Sequence, residues 1–269
     1  MTKILDCTIR DGGHLCGWNF EKSAVDETYR AACKTGIDYF EIGYRMHKKF
    51  QGPYSRCPEN ILPEGICKLV VMVNVSDFDI NDFKKGEPFL VRAACHHDEI
   101  RQGIEVCEQL KEKGFNVFLH LMNTDMIKDF SPLEKWDNKE ILESVYFADS
   151  FGSFTPDKVE FYYKKLQNAG FEKISFHGHN NLQLAFANSL KAIELGAYSV
   201  DGTVYGMGRG AGNLPVELLI GHLKTYDTVY YYELIEKYFI DLHKKYNWGY
   251  NLNTLTAGLK NLHPSSTFA

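Results

Sequence analysis

The sequence has 269 residues, of which 44% are hydrophobic and 24% charged, and its formal net charge at pH 7 is -5. This balance predicts a folded globular protein, and the acidic charge without a basic cluster argues against a nucleic-acid partner. The seven cysteines include no C-x-x-C pair, so neither a zinc knuckle nor a disulfide framework is indicated.

The amino terminus contains no apolar signal core, and no apolar run approaches the roughly 20 residues that span a bilayer. Reduced thiols are typical of the cytoplasm. We therefore expect a cytoplasmic protein without membrane contact, acting on a small molecule.

Short apolar runs alternate with helix-length amphipathic segments, a rhythm typical of a parallel sheet built from βαβ units. The runs, rich in Val, Ile, Phe or Tyr, cover residues 3–7, 39–43, 68–74, 89–94, 116–121, 144–148, 173–177 and 199–204. Eight strands in a chain of this length predict a (β/α)8 TIM barrel forming one domain over residues 1–269, with 246–269 as a short carboxyl-terminal extension. A doubly wound open sheet is the alternative.

Several predicted helices end at a glycine that is followed directly by a strand, as expected for repeated αβ units. These helices cover residues 20–35, 98–113, 155–169 and 182–195, with Asn19 as the N-cap of the first. Thr155 and Pro156 supply a cap and a first-turn proline for the third.

The longest irregular stretch covers residues 44–65 and contains three prolines. Its position after the second strand would place it over the mouth where barrels carry their active sites. A lid and a plain surface excursion are both open interpretations.

Two histidines on the seventh predicted strand, His177 and His179, are two residues apart and therefore share one face. Asp11 follows the first strand, and in a barrel only the eighth strand separates the first from the seventh. A carboxylate and two imidazoles bind a divalent ion while leaving positions open, as a catalytic site requires. These ligands suit Mn²⁺, Co²⁺, Fe²⁺ or Zn²⁺, and Mg²⁺ where substrate oxygens complete the shell.

Strand parity predicts which of these side chains face the barrel interior. On the seventh strand, His177 should point inward and Phe176 outward to the helices. On the first run, Asp6, Thr8 and Arg10 are spaced two residues apart and so would lie on one face of the strand. They would form an inner polar ladder, a row of polar side chains facing the barrel interior. Buried polar groups are costly unless they serve a ligand or one another, so this ladder favours a site.

A glycine-rich segment, GMGRGAGN at residues 206–213, follows the eighth predicted strand. It contains G-x-G-x-x-A, but the dinucleotide fingerprint needs a following strand, and residues 230–245 are periodic like a helix. We reject the dinucleotide interpretation. A loop whose backbone binds a carboxylate or phosphate remains open.

Three segments together resemble the signatures of the metal-dependent lyase and synthase superfamily of the DRE-TIM type. They are DCTIRDGGH at residues 6–14, HGHN at 177–180 and the glycine-rich segment. The superfamily includes 3-hydroxy-3-methylglutaryl-CoA (HMG-CoA) lyase, 2-isopropylmalate synthase and class II 4-hydroxy-2-oxovalerate aldolase. Arg-Asp-Gly-x-His resembles the pyruvate-type aldolases more than the synthases, which commonly have an acidic residue at Gly12 or Gly13.

The resemblance implies roles for individual residues. It makes His14 the general acid/base, gives Arg10 the stabilisation of an enolate, and assigns the metal to Asp11, His177 and His179.

The resemblance also implies substrate contacts for Ser150, Asn213 and, within the stretch 248–250, Tyr250. The aldolases have a longer carboxyl-terminal region that contacts a dehydrogenase partner, and only residues 246–269 lie beyond the barrel here. We therefore expect no dehydrogenase partnership, whereas a homodimer remains open.

The expected activity is a divalent-metal-dependent aldolase, with Mn²⁺ favoured, that converts a 4-hydroxy-2-oxo acid to pyruvate and an aldehyde. A Claisen-type acyl-CoA synthase or lyase is the first alternative, although no basic cluster suited to CoA is evident. A non-catalytic metal-binding barrel and an Fe(II) oxygenase are weaker alternatives.

Overall fold

The computed structural model describes residues 1–45, 52–57, 65–224 and 226–263. Eight parallel strands pair in chain order and close into a barrel, which confirms the predicted TIM barrel. The strands are β1 (Lys3–Asp6), β2 (Tyr39–Tyr44), β3 (Lys68–Asn74), β4 (Phe89–Cys95), β5 (Val117–Leu121), β6 (Leu142–Asp149), β7 (Ile174–Gly178) and β8 (Ser199–Gly202).

Helices surround this barrel. They are α1 (Thr8–Cys16), α2 (Lys22–Thr35), α3 (Ile100–Glu112), α4 (Ser131–Glu134), α5 (Pro156–Asn168), α6 (Ala185–Glu194), α7 (Val216–Leu223), α8 (Val229–Leu234), α9 (Ile240–Tyr246) and α10 (Leu252–Leu259). A π-helical turn, Ile235–Phe239, joins α8 to α9. The segment after the glycine-rich loop is therefore helical, as predicted, which supports rejecting the dinucleotide fingerprint.

The predicted glycine stops are confirmed, but the predicted starts at residues 20, 98 and 182 are two or three residues early. The glycines after α2, α3, α5 and α6 adopt φ between +87° and +99°, a left-handed conformation that glycine tolerates without a Cβ clash. Asn19 does not cap α2, because Glu21 occupies the N-cap position. Helix α6 begins three residues late because Asn180 Oδ1 accepts a hydrogen bond from Ala185 N (3.1 Å) within a turn.

The barrel interior and the layer between sheet and helices form two separate apolar clusters. The interior cluster consists of Leu5, Cys7, Tyr39, Val70, Leu90, Phe118 and Tyr146. Phe176 lies in the outer cluster, as its strand parity predicts, and His177 points inward. All seven cysteines are free.

The inner polar ladder predicted on the first strand is wrong. Leu5 faces the barrel interior, so Asp6 faces the helices, where its Oδ2 accepts a hydrogen bond from the Tyr231 hydroxyl (2.7 Å). Helix α1 begins at Thr8, and the two-residue alternation of a strand ends there. Arg10 is therefore placed by helical geometry.

The predicted irregular stretch 44–65 is described only in part. Residues 52–57 return to the barrel, since Cys57 N donates to Tyr44 O (2.9 Å) and Gly52 N donates to Gly17 O (3.1 Å). Residues 46–51 and 58–64 lie outside the described part, so the choice between a lid and a surface excursion stays a prediction. In the described ranges, no helix has both the length and the apolar character needed to cross a membrane.

Helix α1 packs too tightly against Trp18 to accept a side chain at Gly13. A Cβ there would lie 2.1 Å from Trp18 Cδ1, and the buried indole is held by its Nε1 donating to Arg10 O (2.9 Å). We expect Gly13→Ala to lower the free energy of unfolding by about 1–3 kcal/mol, measured by urea unfolding. Gly221→Ala is the control, because its Cβ would lie at ordinary contact distances, 3.6 Å from Thr228 Cγ2 and 3.9 Å from the Tyr232 hydroxyl oxygen. Equal stability of the two variants would contradict this packing argument.

Candidate active site

A cavity of about 190 Å³ lies at the carboxyl-terminal ends of the barrel strands, the face that carries the active site in TIM-barrel enzymes. Of the eight residues singled out in the sequence, six line it: Arg10, Asp11, His14, Ser150, His177 and His179. A larger cavity of about 550 Å³ lies at the opposite end of the barrel, beside the amino-terminal ends of β3 and β4, and contains none of the eight.

The three predicted metal ligands converge although they come from distant parts of the chain. Asp11, His177 and His179 each offer one ligand atom, and these atoms all lie within 4.8 Å of one another. Asp11 Oδ2 is 3.4 Å from His177 Nε2. All three residues are buried. The group can hold a metal ion.

Two buried polar atoms of this group, Asp11 Oδ1 and His179 Nδ1, have no hydrogen-bond partner among the residues that the structure describes. A buried polar atom without a partner costs about 1–3 kcal/mol, so a native structure normally satisfies it. A divalent cation bound between the ligands would supply the missing partner for these atoms. One carboxylate with two imidazoles is a ligand set that such an ion accepts. The residues present therefore fit a metal.

Charge in the surrounding barrel interior also favours a cation. Two buried guanidinium groups face three buried carboxylates, so the cluster carries a net negative charge when its imidazoles are neutral. Its charged members are Arg10, Arg92, Asp11, Glu41 and Asp201. A divalent ion would reverse this excess and prepare the site for an anionic substrate.

Arg10 is held by two carboxylates, which leaves one of its nitrogens without a partner. Its Nε donates to Glu41 Oε2 (2.6 Å) and its Nη1 to Asp11 Oδ2 (2.6 Å), while the buried Nη2 has no partner in the described part of the chain. Burial alone would raise the pKa of Asp11, but Arg10 and the adjacent imidazoles hold that pKa well below its ordinary value. Asp11 is thus an ionised ligand, and Arg10 Nη2 can donate to another group.

The side chain of His177 is oriented by Asp201 on β8. His177 Nδ1 donates to Asp201 Oδ2 (2.9 Å), which leaves Nε2 on the side of Asp11. Asp201 Oδ2 also accepts from Arg92 Nη2 (2.5 Å). A carboxylate behind a metal-binding histidine fixes its tautomer and ring orientation.

We expect Asp201→Asn to weaken Mn²⁺ binding by about 10- to 100-fold. The substitution removes the negative charge of the Asp201 carboxylate, and the amide that replaces it holds the His177 ring less firmly. Calorimetric titration of the metal-free protein measures this. An affinity within twofold of the wild type would contradict an orienting role for Asp201.

His14 is a neutral imidazole at the edge of the candidate metal centre. Its ring packs edge-on against Trp18, and its Nε2 is 3.2 Å from the Tyr44 hydroxyl. Burial lowers the pKa of His14 well below its ordinary value, and the positive charge of Arg209 lowers it further. His14 is therefore in its neutral form at neutral pH, with a ring nitrogen able to take a proton from a bound substrate.

The glycine-rich loop approaches the metal ligands closely at Gly208. A Cβ on this glycine would lie 2.3 Å from Asn213 Nδ2 and 3.4 Å from Asp11 Oδ1. Asn213 does not line the cavity, because its Nδ2 donates to Met207 O (3.0 Å) within the loop. The residue predicted to bind substrate instead lies behind the ligands, bridged through its backbone to His179.

The structure does not bring Tyr250 to the cavity. The chain turns at Gly249 (φ +125°), whose N donates to Gly210 O (3.0 Å), so it passes along the outer side of the glycine-rich loop. Tyr250 is 57% exposed there and lines a separate cavity with Trp248. By contrast, Ser150 lines the main cavity and accepts a hydrogen bond from Asn123 N (2.9 Å).

Sequence reasoning missed the buried residues that support the site: Glu41, Arg92, His120 and Asp201. Glu41, Arg92 and His120 are ionisable residues at interior positions of strands that are otherwise mostly apolar, and that contrast is the signal that could have identified them. Asp201 lies on the short strand Ser-Val-Asp-Gly, where the contrast is weaker. His120 Nδ1 accepts from Arg92 Nε (3.1 Å). Burial and the charge of Arg92 keep the pKa of His120 well below its ordinary value.

Residues 122–245 match the sequence profile of the HMGL-like family. An oxaloacetate decarboxylase from Mycobacterium tuberculosis is 28% identical over 242 residues, covering 83% of this chain and 72% of the relative. A 4-hydroxy-2-oxovalerate aldolase from Carboxydothermus hydrogenoformans is 31% identical over 241 residues, covering 82% of this chain and 70% of the relative.

Solved structures show the same architecture. The amino-terminal domain of a provisionally named aldolase from Bacteroides vulgatus has a TM-score of 0.89 at 32% identity, covering 97% of this chain and 94% of that one. An HMG-CoA lyase from Bacillus subtilis has a TM-score of 0.73 at 17% identity, covering 95% of this chain and 97% of that one. At this identity the similarity supports only the shared fold. The resemblance found in the sequence is thereby confirmed, and the chain belongs to the HMGL-like family of TIM-barrel lyases and aldolases.

Proposed function

We propose that the protein is a divalent-metal-dependent aldolase that interconverts a 4-hydroxy-2-oxo acid with pyruvate and an aldehyde. The observation that carries this proposal is the meeting of a carboxylate, two imidazoles and the neutral His14 around one small cavity. The aldolase relatives, at about 30% identity, point to the same reaction.

Asp11, His177 and His179 would hold the metal, and we favour Mn²⁺, with Mg²⁺, Co²⁺ and Zn²⁺ as alternatives that the same donor set accepts. When bound, the ion supplies a Lewis acid that polarises the 2-oxo group of the substrate.

The chain's own residues perform the proton transfer and stabilise the negative charge. His14 accepts the 4-hydroxyl proton as the C3–C4 bond breaks and the aldehyde leaves, so the bonding electron pair passes into an enolate of pyruvate. The unpartnered Arg10 Nη2 is available to donate a hydrogen bond to the enolate oxygen. The proton on His14 then returns to C3, which yields pyruvate and restores the neutral imidazole.

Two features favour a small keto acid over a CoA thioester. The cavity of about 190 Å³ is smaller than the 300–1,000 Å³ typical of larger ligands. A side chain at Gly12 or Gly13, where the synthases commonly have an acidic residue, would collide with Met207 or Trp18.

Oxaloacetate decarboxylation is the second candidate, because the Mycobacterium tuberculosis relative has that name. It would form the same enolate of pyruvate by loss of carbon dioxide, but it does not require a base to remove a hydroxyl proton. His14 therefore distinguishes the two reactions.

The test is to strip the protein with a chelator, restore Mn²⁺, and assay pyruvate release from 4-hydroxy-2-oxopentanoate and from oxaloacetate. We expect metal-dependent release from the hydroxy keto acid that is lost in His14→Gln. Release from oxaloacetate alone, unchanged in His14→Gln, would establish the decarboxylase instead. Turnover of HMG-CoA or of neither keto acid would contradict the proposal. A homodimer stays open for the assembly.

A further inference from the structure

Arg209 is a cation at the cavity that the proposed chemistry does not use. Of the described residues, those lining the cavity include two guanidinium groups, Arg10 and Arg209, and a single carboxylate, Asp11. Arg10 is neutralised by Glu41 and Asp11. Arg209 has no carboxylate partner within the described part of the chain.

The contacts of Arg209 leave its charge uncompensated. Its Nη1 lies 3.2 Å from His263 Nε2, and its buried Nε has no hydrogen-bond partner within the described ranges. Burial and the charge of Arg209 itself lower the pKa of His263, so this neighbour is a neutral imidazole. A guanidinium beside a neutral ring, with an unsatisfied buried donor, is a ready partner for an anion.

The loop that carries Arg209 is fixed on both sides. Gly212 N donates to Arg209 O (3.0 Å), and Gly249 N donates to Gly210 O (3.0 Å). Arg209 follows Gly208 directly in this loop and lines the same cavity as the metal ligands and His14. A backbone held in this way reduces the loss of conformational freedom when the side chain binds a ligand.

The roles of the two guanidinium groups in the cavity lining identify the half of the substrate that Arg209 serves. In the proposed reaction the pyruvate half lies against the metal ligands and Arg10, whose Nη2 is available to the enolate oxygen. His14 acts on the 4-hydroxyl group at the start of the aldehyde half. Arg209 is the other guanidinium among the described lining residues, and it is therefore available to an anionic group on the aldehyde half.

We propose that Arg209 binds a carboxylate at the far end of the aldehyde half, so that the substrate is a short 4-hydroxy-2-oxo diacid. This inference rests on the proposed aldolase function. In the synthetic direction, C3 of the pyruvate enolate forms a bond to the aldehyde carbon, the aldehyde oxygen takes the proton from His14, and the distal carboxylate is unchanged.

Size and chemistry restrict the anion to a carboxylate that stays on the substrate. At roughly 30 Å³ for each water molecule, the cavity has the volume of about six waters, which suits a short diacid better than a phosphorylated chain. A carboxylate lost as carbon dioxide would be a poor partner, since an ion pair with Arg209 stabilises its charge before cleavage.

The test compares two aldehydes of equal chain length, succinate semialdehyde and butanal, in addition to pyruvate by the Mn²⁺-loaded protein. The measured quantity is the ratio of kcat/KM for the acidic aldehyde to that for the neutral one. In the wild type this ratio should exceed one, and Arg209→Gln should lower it by about 10- to 100-fold, mainly through KM of the acidic aldehyde. Arg209→Lys should retain part of the preference.

Arg101→Gln, a matched change on the exposed face of α3, is the control and should leave the ratio unchanged. A wild-type preference for butanal, an unchanged ratio in Arg209→Gln, or a preference for an equally long phosphorylated aldehyde would overturn the carboxylate assignment and leave the aldolase proposal standing. Absence of addition with every aldehyde, together with no metal-dependent proton exchange of pyruvate, would overturn both.

Discussion

Replacing His14 with glutamine should lower kcat for aldol cleavage by about 10²–10⁴-fold, the usual contribution of a general acid/base. Glutamine retains a polar side chain beside the Tyr44 hydroxyl, 3.2 Å from His14 Nε2 in the native structure. It cannot accept and return a proton at neutral pH. Because His14 is not among the three clustered ligands, the affinity for Mn²⁺ should stay close to that of the wild type.

The measurement pairs steady-state kinetics with a metal titration on the same preparations. His222→Gln is the control, because His222 lies exposed on α7 and outside the cavity. Retention of more than a tenth of wild-type kcat in His14→Gln would contradict the general base role. A parallel loss of metal affinity would mean that His14 belongs to the metal site instead.

Asp11→Asn should weaken Mn²⁺ binding by more than about 100-fold, beyond the 10- to 100-fold typical of residues behind the ligands. The substitution keeps the shape of the side chain but removes the negative charge among the candidate ligands. Arg10 would keep its 2.6 Å contact with Glu41, so the guanidinium is not left without an ionic partner. Activity at limiting metal should fall with the affinity.

Free Mn²⁺ followed by electron paramagnetic resonance measures the affinity, and thermal unfolding of the metal-free protein reports whether the variant folds. Asp241→Asn is a suitable control, because the Asp241 side chain is 81% exposed and pairs only with Lys244 in the described structure. A folded Asp11→Asn protein that binds Mn²⁺ as tightly as the wild type would remove Asp11 from the ligand set.

The barrel was predictable because its strands and helix stops follow short-range rules. Most of the strands coincide with short apolar runs, and each glycine stop reflects a left-handed conformation that other residues adopt at a cost. The meeting of Asp11 with His177 and His179 was also predictable, because barrel closure brings the carboxyl ends of β1 and β7 to one face.

Other features could not be predicted. They lie where the two-residue repeat of a strand gives way to a helix, or where a side chain is positioned by residues far away in the sequence. The inner ladder failed because α1 begins directly after the short β1, and a strand pattern was extended over Thr8 and Arg10. The position of Tyr250 outside the cavity could not be predicted, because it depends on a hydrogen bond between Gly249 and Gly210 that no local pattern encodes. Arg209 was part of a recognised glycine-rich segment, but its unpaired charge became visible only once its neighbours were known.

The central claim is that the metal ligands, Arg10 and His14 together stabilise an enolate of pyruvate. The most direct measurement is proton NMR of pyruvate in D₂O with the protein loaded with Mn²⁺, and with the metal removed by a chelator before spectra are recorded. We expect the methyl signal to decline with time only when metal was present, and to persist with His14→Gln. A methyl signal that persists with the metal-loaded wild type would contradict enolate formation, and with it the proposed aldolase.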